Sequence, residues 1–143
     1  MNIARIKDDA IIPTQAHAGD AGFDLYSVED LDITPGETRM VGTGLVLEIP
    51  YGYGGFILPR SGLAVKKGIT IPNAPGLVDS GYRGEIKVGL HNDHENHRYY
   101  VKKGDRIAQI VFMQYASFHF TEKTQEELQG SERNTGGFGS SGN

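Results

Sequence analysis

Glycine and proline interrupt this chain so often that long regular elements are excluded. Twenty glycines and six prolines in 143 residues amount to about 18%, against roughly 12% in average usage. Between these breaks the sequence alternates apolar and polar residues over short stretches, which predicts an all-β fold of many short strands. Ile3 to Ile6 reads as a first strand, and Phe23 and Leu25 alternate with Asp24 and Tyr26 as a second. From Thr38 to Pro50, Leu45, Leu47 and Ile49 alternate with Val46 and Glu48, as in a strand with one well-buried face. Arg106 to Phe112 is almost continuously apolar and suits the centre of a sheet. Gln109 is the exception in that run, and its amide requires either a backbone partner or a ligand. Phe118 to Phe120 is expected to close the sheet, and Thr124 to Leu128 to form one helical turn.

A chain of this length supports one domain with a sizeable core. Residues 1–130 are expected to form it and residues 131–143 to be a mobile tail. Without cysteine there is no disulfide framework, thiolate nucleophile or cysteine metal site. The start of the chain lacks the apolar core of a signal peptide, and no apolar run reaches the ~18 residues of a membrane span. A cytoplasmic location is therefore expected. A formal net charge of −4 argues against a broad nucleic-acid-binding face. A small anionic substrate remains compatible, because a few arginines, backbone amides and a metal bind phosphate locally.

The residues that could carry chemistry lie in separate stretches. In residues 73–85, Leu77 and Val78 end a strand, Ser80 and Gly81 form the tip of a hairpin, and Glu85 to Leu90 return. Asp79 is then held near the hairpin mouth as a possible general base, with the flat face of Tyr82 beside it. A turn aspartate bonding its own backbone is the plainer reading of the same residues. In residues 59–68, Ser61 could cap a helical turn that ends at Gly68. The amides near Ser61 and Gly62, with the charge of Arg60, would also make a phosphate cradle. Asp24, set between apolar neighbours, is a better site candidate than the loop residue Asp20. His91, His94 and His97 recur every third residue, but they read as a solvated hairpin loop and not as a zinc site, since spacing alone fixes no tetrahedral geometry. Residues 131–143 contain one aromatic and no aliphatic side chain, so they have little with which to pack. Arg133, a glycine-rich run of amides, Ser140 and Ser141 could nevertheless wrap phosphates while Phe138 stacks on a base.

Five stretches in order carry a family resemblance: AGDAGFDLYS (residues 18–27), PRSGLAVKKGI (59–69), NAPGLVDSGYRGEI (73–86), GDRIAQIVF (104–112) and RNTGGFGSSG (133–142). They resemble the five motifs of the trimeric dUTP pyrophosphatases, or dUTPases. The departures are small: Gly81 stands where many members have Asp, Asn134 where Gly is common, and Ser141 where Thr is common. The resemblance implies a jelly-roll-like distorted β-barrel and a homotrimer with shared sites. The hairpin would come from one subunit, the phosphate cradle from another and the tail from a third. It implies hydrolysis of dUTP to dUMP and pyrophosphate, which limits uracil incorporation into DNA and supplies dUMP for thymidylate synthesis. It also implies roles. Asp79 would be the base, Tyr82 the barrier to a 2′-hydroxyl, and Asn73 with backbone groups of Leu77, Val78 and Asp79 the reader of uracil. Arg60, Ser61, Gly62 and Gln109, with Lys87 as a lesser member, would line the phosphates. Arg133, Phe138, Ser140 and Ser141 would close over the substrate. Mg2+ would be held mainly by the triphosphate, with Asp24 reaching it through water.

Overall fold

The computed structural model describes residues 1–128 together with residues 130 and 131. Among these residues eleven short strands and one short α-helix follow one another: β1 (Asn2–Arg5), β2 (Phe23–Tyr26), β3 (Leu31–Ile33), β4 (Thr38–Gly42), β5 (Leu45–Glu48), β6 (Tyr53–Leu58), α1 (Ser61–Lys67), β7 (Ile69–Thr70), β8 (Gly76–Val78), β9 (Lys87–Asn92), β10 (Tyr99–Val101) and β11 (Arg106–Gln114). The fold is all-β and jelly-roll-like. Its largest sheet has the order β2-β11-β6-β8, a second the order β4-β9-β7, and two pairs, β1-β5 and β3-β10, complete it. Every named pairing is antiparallel. The apolar run of β11 lies between β2 and β6, the central position that the sequence predicts for it.

Leu25, Val41, Ile57, Val88, Ile107 and Ile110, contributed by five strands, share one buried core. Removal of such side chains from water, at about 25 cal/mol per Å² of apolar surface, is the principal term favouring the fold. Three polar residues among those described, Ser27, Thr43 and Asn92, are buried as well. The amide of Asn92, 0% exposed, donates to the carbonyls of Ile33 (2.9 Å) and His97 (2.8 Å), and its Oδ1 accepts from the His94 N–H (3.1 Å). The stretch from His91 to His97 is thus anchored at Asn92, whereas the sequence predicts a solvated loop throughout. Beside Asn92, just before the start of β4, the Glu37 carboxylate accepts from both the N–H and the hydroxyl of Thr34 at 2.9 Å. Those two bonds to the charged form hold the Glu37 carboxyl below its ordinary pKa.

Several expected boundaries shift, each for a local reason. The strand expected from Thr38 to Pro50 divides into β4 and β5, which pair with β9 and β1 respectively. Gly44 adopts φ +66° in the gap, and a Cβ there would lie 2.9 Å from that of Ala10, so only glycine passes the chain between sheets at this point. The hairpin expected from Leu77 to Leu90 is instead a crossover, since β8 pairs with β6 and β9 with β4 and β7. Phe118 and Phe120 close no sheet: both lie outside strands, 77% and 99% exposed. The turn predicted near Thr124 is a 3-10 turn over Gln125–Glu127 with a Thr124/Glu127 capping box.

Candidate active site

The crossover between β8 and β9 is short and tightly tied. The Tyr82 N–H donates to the Asp79 carbonyl at 3.1 Å, closing a turn over Ser80 and Gly81. Arg83 Nη1 donates to the carbonyls of Ser80 (2.7 Å) and Tyr82 (2.9 Å), so the turn is locked from outside. Asp79 itself is exposed, and its carboxylate takes no hydrogen bond or ion pair from the described residues. The Asx-type bond to its own backbone is therefore not made, and the carboxylate is free to accept a proton from water. Tyr82 Oη donates to the Glu85 carbonyl at 3.1 Å. Glu85 ties the crossover to the rest of the fold: Oε1 accepts from the Gly44 N–H at 2.9 Å, and Oε2 lies 3.5 Å from Lys87 Nζ.

These residues face a cleft of about 280 Å³ whose lining includes Asn73, Leu77, Val78, Asp79, Tyr82 and Lys87. Strand β8 forms one wall. Among the described residues it is the last strand of its sheet and pairs only with β6, so its other edge presents backbone donors and acceptors to the cleft. An open strand edge, an adjacent amide at Asn73 and an apolar floor suit a flat heterocycle with an imide edge. The Leu77 side chain is 60% exposed, whereas Val78 is buried.

A second polar cluster forms where β2, β11 and the start of α1 meet. Asp24, with its side chain only 13% exposed, holds Arg60 Nε at 3.0 Å on one oxygen and Arg106 Nη1 at 3.1 Å on the other. Arg60 Nη1 also donates to the Arg106 carbonyl at 3.0 Å. Gln109 Nε2 donates to the Pro59 carbonyl at 3.1 Å, so the amide meets a backbone partner and keeps its oxygen available. The cluster depends on a β-bulge. Across β2, Arg106 opposes Tyr26 but Ala108 opposes Leu25, so the register slips by one residue at Ile107. In a regular strand Arg106 and Gln109, three apart, would face opposite sides; the slip brings both to the face that carries Asp24. Asp24 and Gln109 line a cleft of about 390 Å³ together with Asp20 and Gly22.

Most of the expected site residues thus gather in two places. Asn73, Leu77, Val78, Asp79 and Tyr82 share the first cleft; Arg60, Gln109 and Asp24 share the second cluster. The two clefts have no lining residue in common. Lys87 is found with the first group and pairs with Glu85, away from the arginines with which the sequence reading grouped it. Ser61 is the first residue of α1 and not its cap. Arg60 holds the cap position with extended dihedrals (φ −84°, ψ 129°) and no side-chain cap bond, and Gly68 ends the helix in the left-handed conformation at φ 63°. Ser61 and Gly62 are exposed at its start. Arg133, Phe138, Ser140 and Ser141 lie outside the described residues. Sequence reasoning passed over Arg106 and Glu85. A charged residue opening an apolar strand is a common sight, and only the bulge turns Arg106 toward Asp24.

The dUTPase family profile matches residues 8–142. Over 142 residues the chain is 49% identical to the deoxyuridine 5′-triphosphate nucleotidohydrolase of Nautilia profundicola, covering 99% of this chain and 98% of that protein. It is 48% identical over 142 residues to the protein of the same name from Thermobifida fusca, covering 99% and 78%. Its fold superimposes on the dUTPase of Staphylococcus bacteriophage 80alpha, solved with dUPNHPP, with a TM-score of 0.88 at 30% identity over 99% of this chain and 97% of that one. With the family profile spanning nearly every described strand and near-half identity held along the full length, this chain belongs to the dUTPase family.

Proposed function

We propose that this protein is a dUTP diphosphatase, in which water attacks the α-phosphorus of dUTP and the bond to the β-phosphate oxygen breaks, giving dUMP and pyrophosphate. The observation that carries this reading is the cleft on the open edge of β8, where the free Asp79 carboxylate stands beside Tyr82. Asp79 accepts the proton of the attacking water. The β8 edge and the Asn73 amide hydrogen-bond the uracil, and the walls of the cleft exclude the methyl of thymine. Tyr82 packs against the deoxyribose and excludes a 2′-hydroxyl, a rejection that costs more than a lost contact when the extra polar group is left unpaired.

Arg60 and Gln109 bind the phosphates with the amides at Ser61 and Gly62. The Asp24 ion pairs hold both arginines in place, so the positive charge is preorganised before the triphosphate arrives. Among the described residues no group of three or more His, Asp or Glu side chains converges to hold a metal. Asp24, with each oxygen already on a guanidinium, fits an outer contact through water and not direct ligation. Mg2+ carried by the triphosphate oxygens therefore suits this donor set, and when bound it neutralises charge that develops on the phosphates.

The site is completed between subunits of a homotrimer, with the β8 cleft of one chain facing the arginine cluster of the next and residues 131–143 of a third closing over both through Arg133, Phe138, Ser140 and Ser141. Two observations support the shared arrangement. The two half-sites of one chain line separate clefts, and Met113, Tyr115, Phe118, Phe120 and Leu128 leave a run of apolar surface exposed after the central strand, as a partner-binding segment does. No helix among the described residues is long and apolar enough to cross a membrane, and we place the enzyme in the cytoplasm, acting on free nucleotide.

The test is to incubate the protein with Mg2+ and dUTP or dCTP separately and to measure dUMP, pyrophosphate and ammonia. Stoichiometric dUMP and pyrophosphate from dUTP alone supports the reading. Release of ammonia from dCTP identifies a deaminase of the same fold, and nucleotide binding without any product identifies a binding protein.

A further inference from the structure

Glycine is usually required where φ is positive, yet Gly84 is not one of the positive-φ glycines of this fold. Alanine would meet no positive-φ penalty there. Space is what demands glycine at this position. A Cβ on residue 84 would lie 2.3 Å from Tyr82 Oη, 2.5 Å from Cζ and 3.0 Å from Cε2, and these are its three nearest neighbours. The phenol therefore rests in the volume that any other residue would fill. It is held there by the 3.1 Å bond from Oη to the Glu85 carbonyl and is otherwise loosely confined, with Tyr82 47% exposed.

We infer that Gly84 is a specificity-determining residue: by lacking the side chain that would fill the volume taken by the Tyr82 phenol, it sets where that ring stands in the sugar subsite. The inference rests on the role proposed above for Tyr82 as the barrier to a 2′-hydroxyl. A methyl group at position 84 overlaps both Oη and Cζ, so the ring must leave the Glu85 carbonyl and rotate off the turn. Because the ring is partly in solvent, that movement is cheap for folding. Its effect falls on discrimination, where a misplacement of one methyl's size alters selectivity about tenfold or more.

A double-mutant cycle read as the ratio of kcat/KM for dUTP to kcat/KM for UTP tests this. Gly84→Ala should lower the ratio on the order of tenfold or more with thermal unfolding essentially unchanged. Tyr82→Phe in the same background should not restore it, because the overlap with Cζ remains. In a Tyr82→Ala background the Gly84→Ala change should be silent, since the ring it displaces is gone. The double variant, having no ring to clash, also keeps the comparison available if Gly84→Ala alone folds poorly. A parental ratio in Gly84→Ala while Tyr82→Ala admits UTP overturns the inference and leaves the tyrosine barrier standing. An equal loss from Gly84→Ala with and without the ring overturns it too, by showing that the glycine acts on something else. If Tyr82→Ala itself keeps the parental ratio, the tyrosine barrier falls and this inference falls with it.

Discussion

Asp79 and Tyr82 are close neighbours, three residues apart, in one locked turn, yet they present opposite electrostatic situations. Every hydrogen-bonding capacity of the Tyr82 phenol as a donor is used on the Glu85 carbonyl, while the Asp79 carboxylate meets no described partner. A group committed to position is expected to act by shape, and an uncommitted carboxylate by chemistry. Replacing Asp79 with Asn keeps size and removes the basic lone pair, so turnover should fall at least a hundredfold, the usual scale of a lost general base, while a non-hydrolysable dUTP analogue still binds. Single-turnover rates and calorimetry on the same variant check this, and near-parental turnover removes Asp79 from the mechanism. Tyr82→Ala, by contrast, should leave the base in place and admit UTP, as steady-state kinetics on the two nucleotides will reveal. Both residues are legible in the sequence as members of a recognisable motif. The room that Gly84 gives the Tyr82 phenol is not, because a glycine without positive φ looks in sequence like any other turn glycine.

Among the elements, β8 and β11 illustrate how placement converts ordinary strands into parts of a site. Strand β8 has three residues, and its usefulness lies in being last in its sheet, which alternation along the chain cannot express. In β11 the apolar pattern correctly announces a central strand, but the slip at Ile107 decides that Arg106 and Gln109 share a face. The same holds for the end of β9. Asn92 belongs to a polar stretch that reads as loop, yet it is the amide on which the Ile33 and His97 carbonyls and the His94 N–H converge. Asn92→Ala would leave the buried Ile33 carbonyl unsatisfied, at about 1 to 3 kcal/mol for such a group, and would release the exposed residues His94 and His97 from their anchor. We expect Asn92→Ala to lose about 2 to 4 kcal/mol, seen as a lower urea midpoint with an unchanged slope. An unchanged midpoint would mean that water replaces the amide without loss.

For the whole molecule, the proposed assembly and the tail make a joint prediction. Residues 131–143 carry little apolar surface to offset an ordering cost of about 1 to 2 kcal/mol per residue. Stacking by Phe138, at roughly 1 to 3 kcal/mol, and charge-assisted contacts from Arg133 to phosphate, at about 1.5 to 3 kcal/mol, would supply part of that only when substrate is bound. Deletion of residues 131–143 should therefore leave thermal stability nearly unchanged while turnover falls severely. In the intact protein, limited proteolysis of the tail should slow only with a non-hydrolysable dUTP analogue and Mg2+ present. Equal protection without ligand, or a truncated enzyme working at the parental rate, counts against the closing role of Arg133, Phe138, Ser140 and Ser141. By itself the sequence determined the fold class, the central place of β11 and the family, because strand periodicity, turn residues and contiguous motifs are all written locally. Which residues meet was decided by tertiary structure. The division of Thr38–Pro50 between two sheets, the turning of Arg106 onto Asp24 and the burial of Asn92 each depend on pairing between distant segments, and neither spacing nor composition records the register in which such segments dock.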